Sequence, residues 1–268
     1  VSHKQSTKPT TNTIPQTYNQ DFFKKRQDWR ADYEAIANWV AKNVAGTLIG
    51  DIGCGNGYMI ARLNTLGKKV WGVDAAENLD QVVDKAARKY VTKADLTQDQ
   101  KFTKSDAILC FDVADRIDKK YADTLVKNIV SANPKIILFT ASKPGQAGIH
   151  HINLQPREYW LEKFAKYGYY LDAVLNEAFK ADLQGKVKNP VWYLEDSMIL
   201  KKYDQQEMIQ AFAEAGAVVE ELTADVAFFK NKNRKLRDDL WVVNQRLNGI
   251  IGSARWKASS KLIRLIKK

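Results

Sequence analysis

Seven residues, Asp51-Ile52-Gly53-Cys54-Gly55-Asn56-Gly57, constrain the fold more than any other stretch of this chain of 268. Thr47-Leu48-Ile49 before them reads as the end of a buried strand, and Tyr58-Met59-Ile60-Ala61-Arg62-Leu63 after them as the first turns of a helix. Three glycines at alternate positions leave the connecting backbone bare. A ligand can then reach the amides at the helix N-terminus, where the partial positive charge favours a carboxylate or phosphate. A second strand over 69–73 runs into Asp74. An acid at the tip of the second strand of such a unit is placed to accept hydrogen bonds from both hydroxyls of a ribose. The dinucleotide fingerprint needs a further glycine at position 58, which is tyrosine here. The spacing is therefore G-x-G-x-G and disfavours a nicotinamide dinucleotide.

The remaining pattern is that of one α/β domain with an appendage. Apolar residues at Trp29, Tyr33, Ile36, Ala37, Val40 and Val44 predict a helix over 21–44 that packs beside the first strand. A helix is expected over 77–89, a short strand over 90–93 ending in Ala94-Asp95-Leu96, and a fourth strand over 106–111. A helix over 119–132 and a strand over 135–141 follow, and then a helix opening at Gln155-Pro156 with proline in its first turn. Strands are expected over 170–175 and 193–201, with a helix and loop over 176–189 between them. Residues 1–17 hold almost no large apolar side chain and predict disorder. Residues 204–247 form a proline-free, helix-favouring stretch with one weak point at Gly216.

Net charge narrows the class only once it is located. Of the total of +11, residues 232–268 carry +9, which leaves the rest of the chain close to neutral. Leu240, Val243, Leu247, Ile250, Ala254, Ala258, Leu262 and Leu265 recur through that segment among Lys and Arg, with Trp256. A basic amphipathic helix with Trp reads as a membrane-surface element, and a coiled coil or a helix docked on the body is the other reading. Trp256 is the one aromatic residue after position 241, so stacking along a nucleic acid strand is not expected. No apolar run reaches membrane-spanning length and no signal pattern opens the chain, which predicts a cytoplasmic protein, peripheral at the inner face of a membrane if the tail binds lipid. Cys54 and Cys110 are too few for a disulfide framework or zinc site and are expected as buried thiols.

At its glycine stretch the sequence resembles the class I S-adenosylmethionine-dependent methyltransferases, whose first motif is an acidic residue followed by x-G-x-G-x-G. The resemblance runs over 18–202. It implies a Rossmann-like, seven-stranded, mostly parallel α/β sheet closed by an antiparallel strand pair, with 203–268 as a helical C-terminal extension. It implies S-adenosylmethionine as cofactor, S-adenosylhomocysteine as product, and a cofactor site of Tyr18, Asp51, Gly53, Cys54, Gly55, Asp74, Ala75, Asp95, Leu96 and Phe111. Within that set Asp95 would take the adenine amino group with Leu96 packed on the ring, or would simply cap the turn after it. Tyr18 would close over the cofactor, or serve only in packing. After the fourth strand, Asp112 and Asp115 match the two acids of an E-V-L-E-H-I sequence common in relatives, with Arg116 where histidine is common. There is no N-P-P-Y-like sequence, which lowers the expectation of nitrogen methylation on bases.

The combination of His151-x-Asn153, Pro156 and Glu158-Tyr159-Trp160 resembles methyltransferases found with glycosyltransferases in polysaccharide and glycan assembly. The segment Leu247 to Trp256, L-x-x-x-x-G-S-x-R-W, is similar to the ends of glycan-modifying chains. These likenesses imply a carbohydrate acceptor, glycosyltransferase partners and O-methylation of a sugar hydroxyl. A sugar hydroxyl ionises too little near neutral pH, so a positioned base is worth roughly 10² to 10⁴-fold. His151 is the expected base, with His150 secondary and Asp112 nearby. The other reading has the two histidines cap their loop or bind substrate, and a metal held by Asp112 and a histidine is the less favoured route, so that no metal site is expected. Methylation of a quinone or lipid-linked small molecule, or a non-catalytic scaffold for glycosyltransferases, are the alternative functions.

Overall fold

A computed structural model describes residues 18, 20–203, 210, 220 and 243–249. Residues 243–249 are helical; the remaining expectations for 1–17, the break at Gly216 and the basic tail lie outside the described residues.

Seven strands form one sheet: β1 (Leu48–Ile52), β2 (Lys69–Asp74), β3 (Val91–Lys93), β4 (Ala107–Cys110), β5 (Ile136–Thr140), β6 (Tyr169–Leu171) and β7 (Ser197–Lys202). Their order is β3-β2-β1-β4-β5-β7-β6. The first five run parallel, while β7 lies antiparallel to both β5 and β6. This is the expected seven-stranded, mostly parallel sheet. Alternate side chains of each strand feed two apolar layers: Leu109, Leu138 and Ile199 on one face, Ile108, Ile137 and Leu200 on the other. The first layer packs under α2 (Arg30–Asn43), α3 (Tyr58–Thr65) and α7 (Ala173–Leu183), the second under α5 (Ala122–Ser131) and α6 (Arg157–Ala165). Trp160, Phe139 and Phe164 are fully buried together in the second layer, each worth about 1.5–3 kcal/mol or more by burial alone.

Four sequence expectations are corrected. The helix over 21–44 is interrupted: α1 (Gln20–Lys24) ends where Arg26 N turns back to Phe23 O, and α2 begins at Arg30. Phe23 O also accepts from Asn56 Nδ2, so α1 is tied down across the glycine turn. The helix over 77–89 reduces to α4 (Leu79–Val82), because Val83 is extended, Asp84 N donates to Asn56 O, and Asp84 pairs with Arg30 at 2.9 Å. Adjacent Val82 and Val83 favour helix weakly, and contact with the glycine turn wins. The strand over 170–175 stops at Leu171, because Asp172 Oδ1 accepts from Leu175 N and caps α7. Likewise residues 192–195 form α8 (Trp192–Glu195), and β7 starts only at Ser197.

The strand order reverses between β1 and β4, so a crevice opens at their carboxyl ends. Gly53 follows β1, Asp74 ends β2 and Asp112 follows β4, which brings three separated stretches of sequence to one place.

Candidate active site

The crevice is a cavity of about 300 Å³. Gly53, Gly55 and Gly57 form its floor and all have positive φ, at 81°, 50° and 70°. A Cβ at Gly53 would run into Val113 Cγ2, and one at Gly57 would stand 2.8 Å from Ala87 Cβ. Glycine is required here on both counts. Within the turn the amides of Gly53 and Cys54 donate to Val73 O, that of Gly57 to Cys54 O, and that of Gly55 to Asp74 Oδ2 at 2.8 Å, whereas the helix N-terminal amides that follow begin at Tyr58. The glycines contribute bare surface instead of open donors.

Asp74 lies on the cavity wall, and its second oxygen accepts from Ala76 N at 2.9 Å. Each oxygen keeps a lone pair for a ligand hydroxyl. Burial raises the Asp74 pKa, and the amides of Gly55, Ala76 and Ala75 only partly offset it. Cys54, Ala75, Asp95, Leu96, Phe111 and Tyr18 also line the cavity. Asp95 Oδ1 accepts from both the amide and the hydroxyl of Thr97, so its turn-capping reading is realised while the residue stays on the wall. Asp51 does not line the cavity; it is buried beneath the turn with Oδ2 unpartnered. Burial and the nearby Asp74 push its pKa up to about 8. Cys54 and Cys110 are buried and unpaired, as expected.

Across the cavity stands a second group of residues. Asp112 follows β4 in the left-handed region, φ 59°, held there by its amide donating to Thr140 Oγ1 at 2.8 Å. A non-glycine residue in this conformation is costly and concentrates at functional sites. Arg116 forks onto Asp112: Nη2 reaches Oδ2 at 2.6 Å and Nε donates to its carbonyl at 2.8 Å. Its Nη1 donates to Tyr18 Oη at 3.2 Å and to Ile149 O at 2.6 Å. One guanidinium therefore ties together β4, the segment before α1 and the loop after β5. Phe22, Arg26, Tyr33, Tyr121 and Tyr193 complete this end.

Neither His150 nor His151 is on the cavity wall. His150, with φ 62°, meets the Tyr18 ring edge-on at 5.9 Å between centroids. His151 turns inward: Nδ1 lies 3.3 Å from Gln146 O and Nε2 lies 3.0 Å from Asp115 Oδ2. Its ring fits only because residue 148 is glycine, where a Cβ would strike the imidazole. Asp115 is fully buried, and burial first, then Asp112, raise its pKa against the opposing charges of Arg116 and His151. Sequence reasoning missed Arg116 as an organiser of the site and Asp115 as the partner of His151. The i, i+3 and i+4 spacing from Asp112 was the available signal.

Residues 50–131 match the family model described as a methyltransferase domain. Among solved structures, the sugar N-methyltransferase KedS8 of a Streptoalloteichus species aligns with a TM-score of 0.52 at 16% identity, over 76% of this chain and 100% of that one. Magnesium protoporphyrin IX methyltransferase of Synechocystis, with bound S-adenosylhomocysteine, aligns with a TM-score of 0.49 at 16% identity, over 69% and 88% of the two chains. No curated protein matches the sequence. The sheet order and the glycine turn with its downstream acid are those of the class I methyltransferase fold, and the match over 50–131 supports an S-adenosylmethionine-dependent methyltransferase. The cavity suits that cofactor, with a floor that has no Cβ and a buried carboxylate at the end of β2.

Proposed function

We propose that this methyltransferase acts on oxygen, methylating a hydroxyl of a carbohydrate in a growing or finished glycan. The observation that carries this reading is Asp112, a buried carboxylate on the cavity wall whose Oδ1 has no partner. An unpartnered carboxylate oxygen accepts a hydrogen bond from a hydroxyl. Phe22, Tyr33 and Tyr193 line the same cavity, and aromatic side chains suit the C–H faces of a sugar ring.

Gly53, Gly55, Asp74, Ala75, Asp95 and Leu96 would hold the cofactor, with Asp74 at the ribose. When bound, S-adenosylmethionine would supply a methyl group on a positively charged sulfur, for direct displacement by the acceptor oxygen with the C–S electron pair left on sulfur. Asp112 receives the hydroxyl proton, and Arg116 holds its carboxylate in place. Tyr18 and α1 cover the cavity and exclude water, which strengthens every polar contact inside. His151 acts through Asp115 and not on the acceptor itself. In this reading the basic segment 232–268 keeps the enzyme at an anionic membrane surface beside the glycosyltransferases that build its acceptor.

The test is mass spectrometry of products formed from S-adenosylmethionine with nucleotide sugars, oligosaccharides and quinones as acceptors. A methyl group on a sugar oxygen is expected, with Asp112→Asn lowering turnover about 10²-fold or more while cofactor affinity holds. Methylation confined to quinones, or to nitrogen, would overturn the sugar hydroxyl reading.

A further inference from the structure

Asp112, Asp115 and His151 each direct a ligand atom to one spot, and these atoms lie within 4.8 Å of one another. Donors around a divalent cation with bonds of about 2.1 Å stand roughly 3–4.2 Å apart, so a small contraction brings this set into coordination. The three residues come from two places in the chain. Asp112 and Asp115 flank the turn after β4, and His151 sits in the loop after β5, pinned by the amides of Ile152 and Asn153 donating to Asp115 O at 2.9 and 3.0 Å.

A second observation points to an occupant. Asp115 has 0% exposure, and while His151 Nε2 meets its Oδ2 at 3.0 Å, its Oδ1 is left without a side-chain partner. Asp112, 9% exposed, leaves Oδ1 equally bare. Arg116 occupies only Asp112 Oδ2, so the cluster keeps an open oxygen. Buried carboxylate oxygens without partners are costly, and native proteins satisfy them with donors, water or ions.

We propose that Asp112, Asp115 and His151 form a divalent cation site of the manganese or magnesium type, open toward the cavity on the Asp112 side. Two carboxylates and one imidazole suit Mn²⁺ best, since the oxygens favour hard ions and the imidazole draws the choice toward transition metals. Three protein ligands leave positions for water or an acceptor oxygen, as in catalytic metal sites. Asp112 holds its place in the cluster in the left-handed backbone region, a conformation that concentrates at functional sites. Gly148 belongs to the same device, since a side chain there would displace the imidazole. His151 is then a metal ligand and not a free base. Its Nδ1 is left to donate to Gln146 O, the outer contact that orients metal-bound imidazoles. With an ion bound, Asp112 Oδ1 is a ligand and no longer the proton acceptor, and the ion would instead lower the acceptor hydroxyl pKa; that role rests on the sugar O-methylation reading, and the site itself does not.

The experiment titrates Mn²⁺ into the full chain without acceptor and follows the free-ion signal by electron paramagnetic resonance, with Mg²⁺ as competitor. One Mn²⁺ per chain is expected, displaced by excess Mg²⁺ or retained against it according to preference; both outcomes support the site. Asp115→Asn and His151→Gln should each weaken Mn²⁺ binding by about tenfold or more. Binding of S-adenosylhomocysteine to the same variants reports whether they are folded, and His151→Gln keeps the test available if Asp115→Asn does not fold. Absence of binding at millimolar Mn²⁺, or equal affinity in the parent and His151→Gln, overturns the proposal. Neither result bears on which acceptor is methylated, so failure here is distinct from failure of the functional reading.

Discussion

Asp51 shows how much a single side chain can carry. It sits within β1, beneath the glycine turn, with one oxygen unpartnered and a pKa pushed up to about 8. The unfolded chain releases that proton near pH ~3.9. Between there and about pH 8 the folded chain binds the proton more tightly than the unfolded one. Stability from this group is therefore present at low pH and is lost as pH rises through that window. Asp51→Asn cannot ionise and keeps the shape. Its thermal midpoint, measured by calorimetry without cofactor, should fall less from about pH 5 to pH 8 than that of the parent; equal slopes would mean that Asp51 is ionised in the folded state. The sequence made the glycines and Asp74 legible because turn chemistry is local and an acid ending a strand has few other uses. It did not reveal that Asp51 faces away from the cavity. Strand β1 runs three residues past Ile49, where its apolar run ends, and alternation then decides which way each side chain points. The direction of His151 was equally hidden, since no periodicity governs the loop over 141–156.

Between elements, the decisive contact is Arg116. It joins the end of β4, Tyr18 ahead of α1 and the carbonyl of Ile149 through one guanidinium, with its ion pair to Asp112 nearly buried, the side chains being 10% and 6% exposed. Removing one partner of a buried pair strands the other charge, at about 3–5 kcal/mol. Arg116→Ala should lose stability on that scale in urea unfolding, and the double variant Asp112→Asn, Arg116→Ala should lose clearly less than the sum of the two single changes. A loss below about 1 kcal/mol in Arg116→Ala would deny the staple its role. These ties also explain which elements were misjudged from sequence. The periodicity over 21–44 is real, but Phe23, Asn56 and Asp84 fix the chain against the glycine turn and break the helices on both sides of it. Tertiary contact overrode local propensity in the segments that wall the cavity. Strand β6 ended early for a local reason, the Asp172 cap, which was readable and was not read.

For the molecule as a whole, the seven-stranded order and the crevice at its reversal point follow from features visible in the sequence: apolar runs at strand length, glycine at the first turn and acids ending β2 and following β4. What the sequence withheld is how separate loops meet, because the approach of Asp115 to His151 depends on the packing of β4 against β5 and not on either segment alone. Among the described residues no helix is long and apolar enough to cross a membrane. The central claim is that the crevice between the glycine turn and Asp74 holds S-adenosylmethionine. Isothermal calorimetry with S-adenosylhomocysteine on the full chain tests it most directly. The account predicts one site per chain, weakened by a few kcal/mol in Asp74→Ala because the ribose hydroxyls lose their paired acceptor. No binding by the parent, or unchanged affinity in Asp74→Ala, would contradict it.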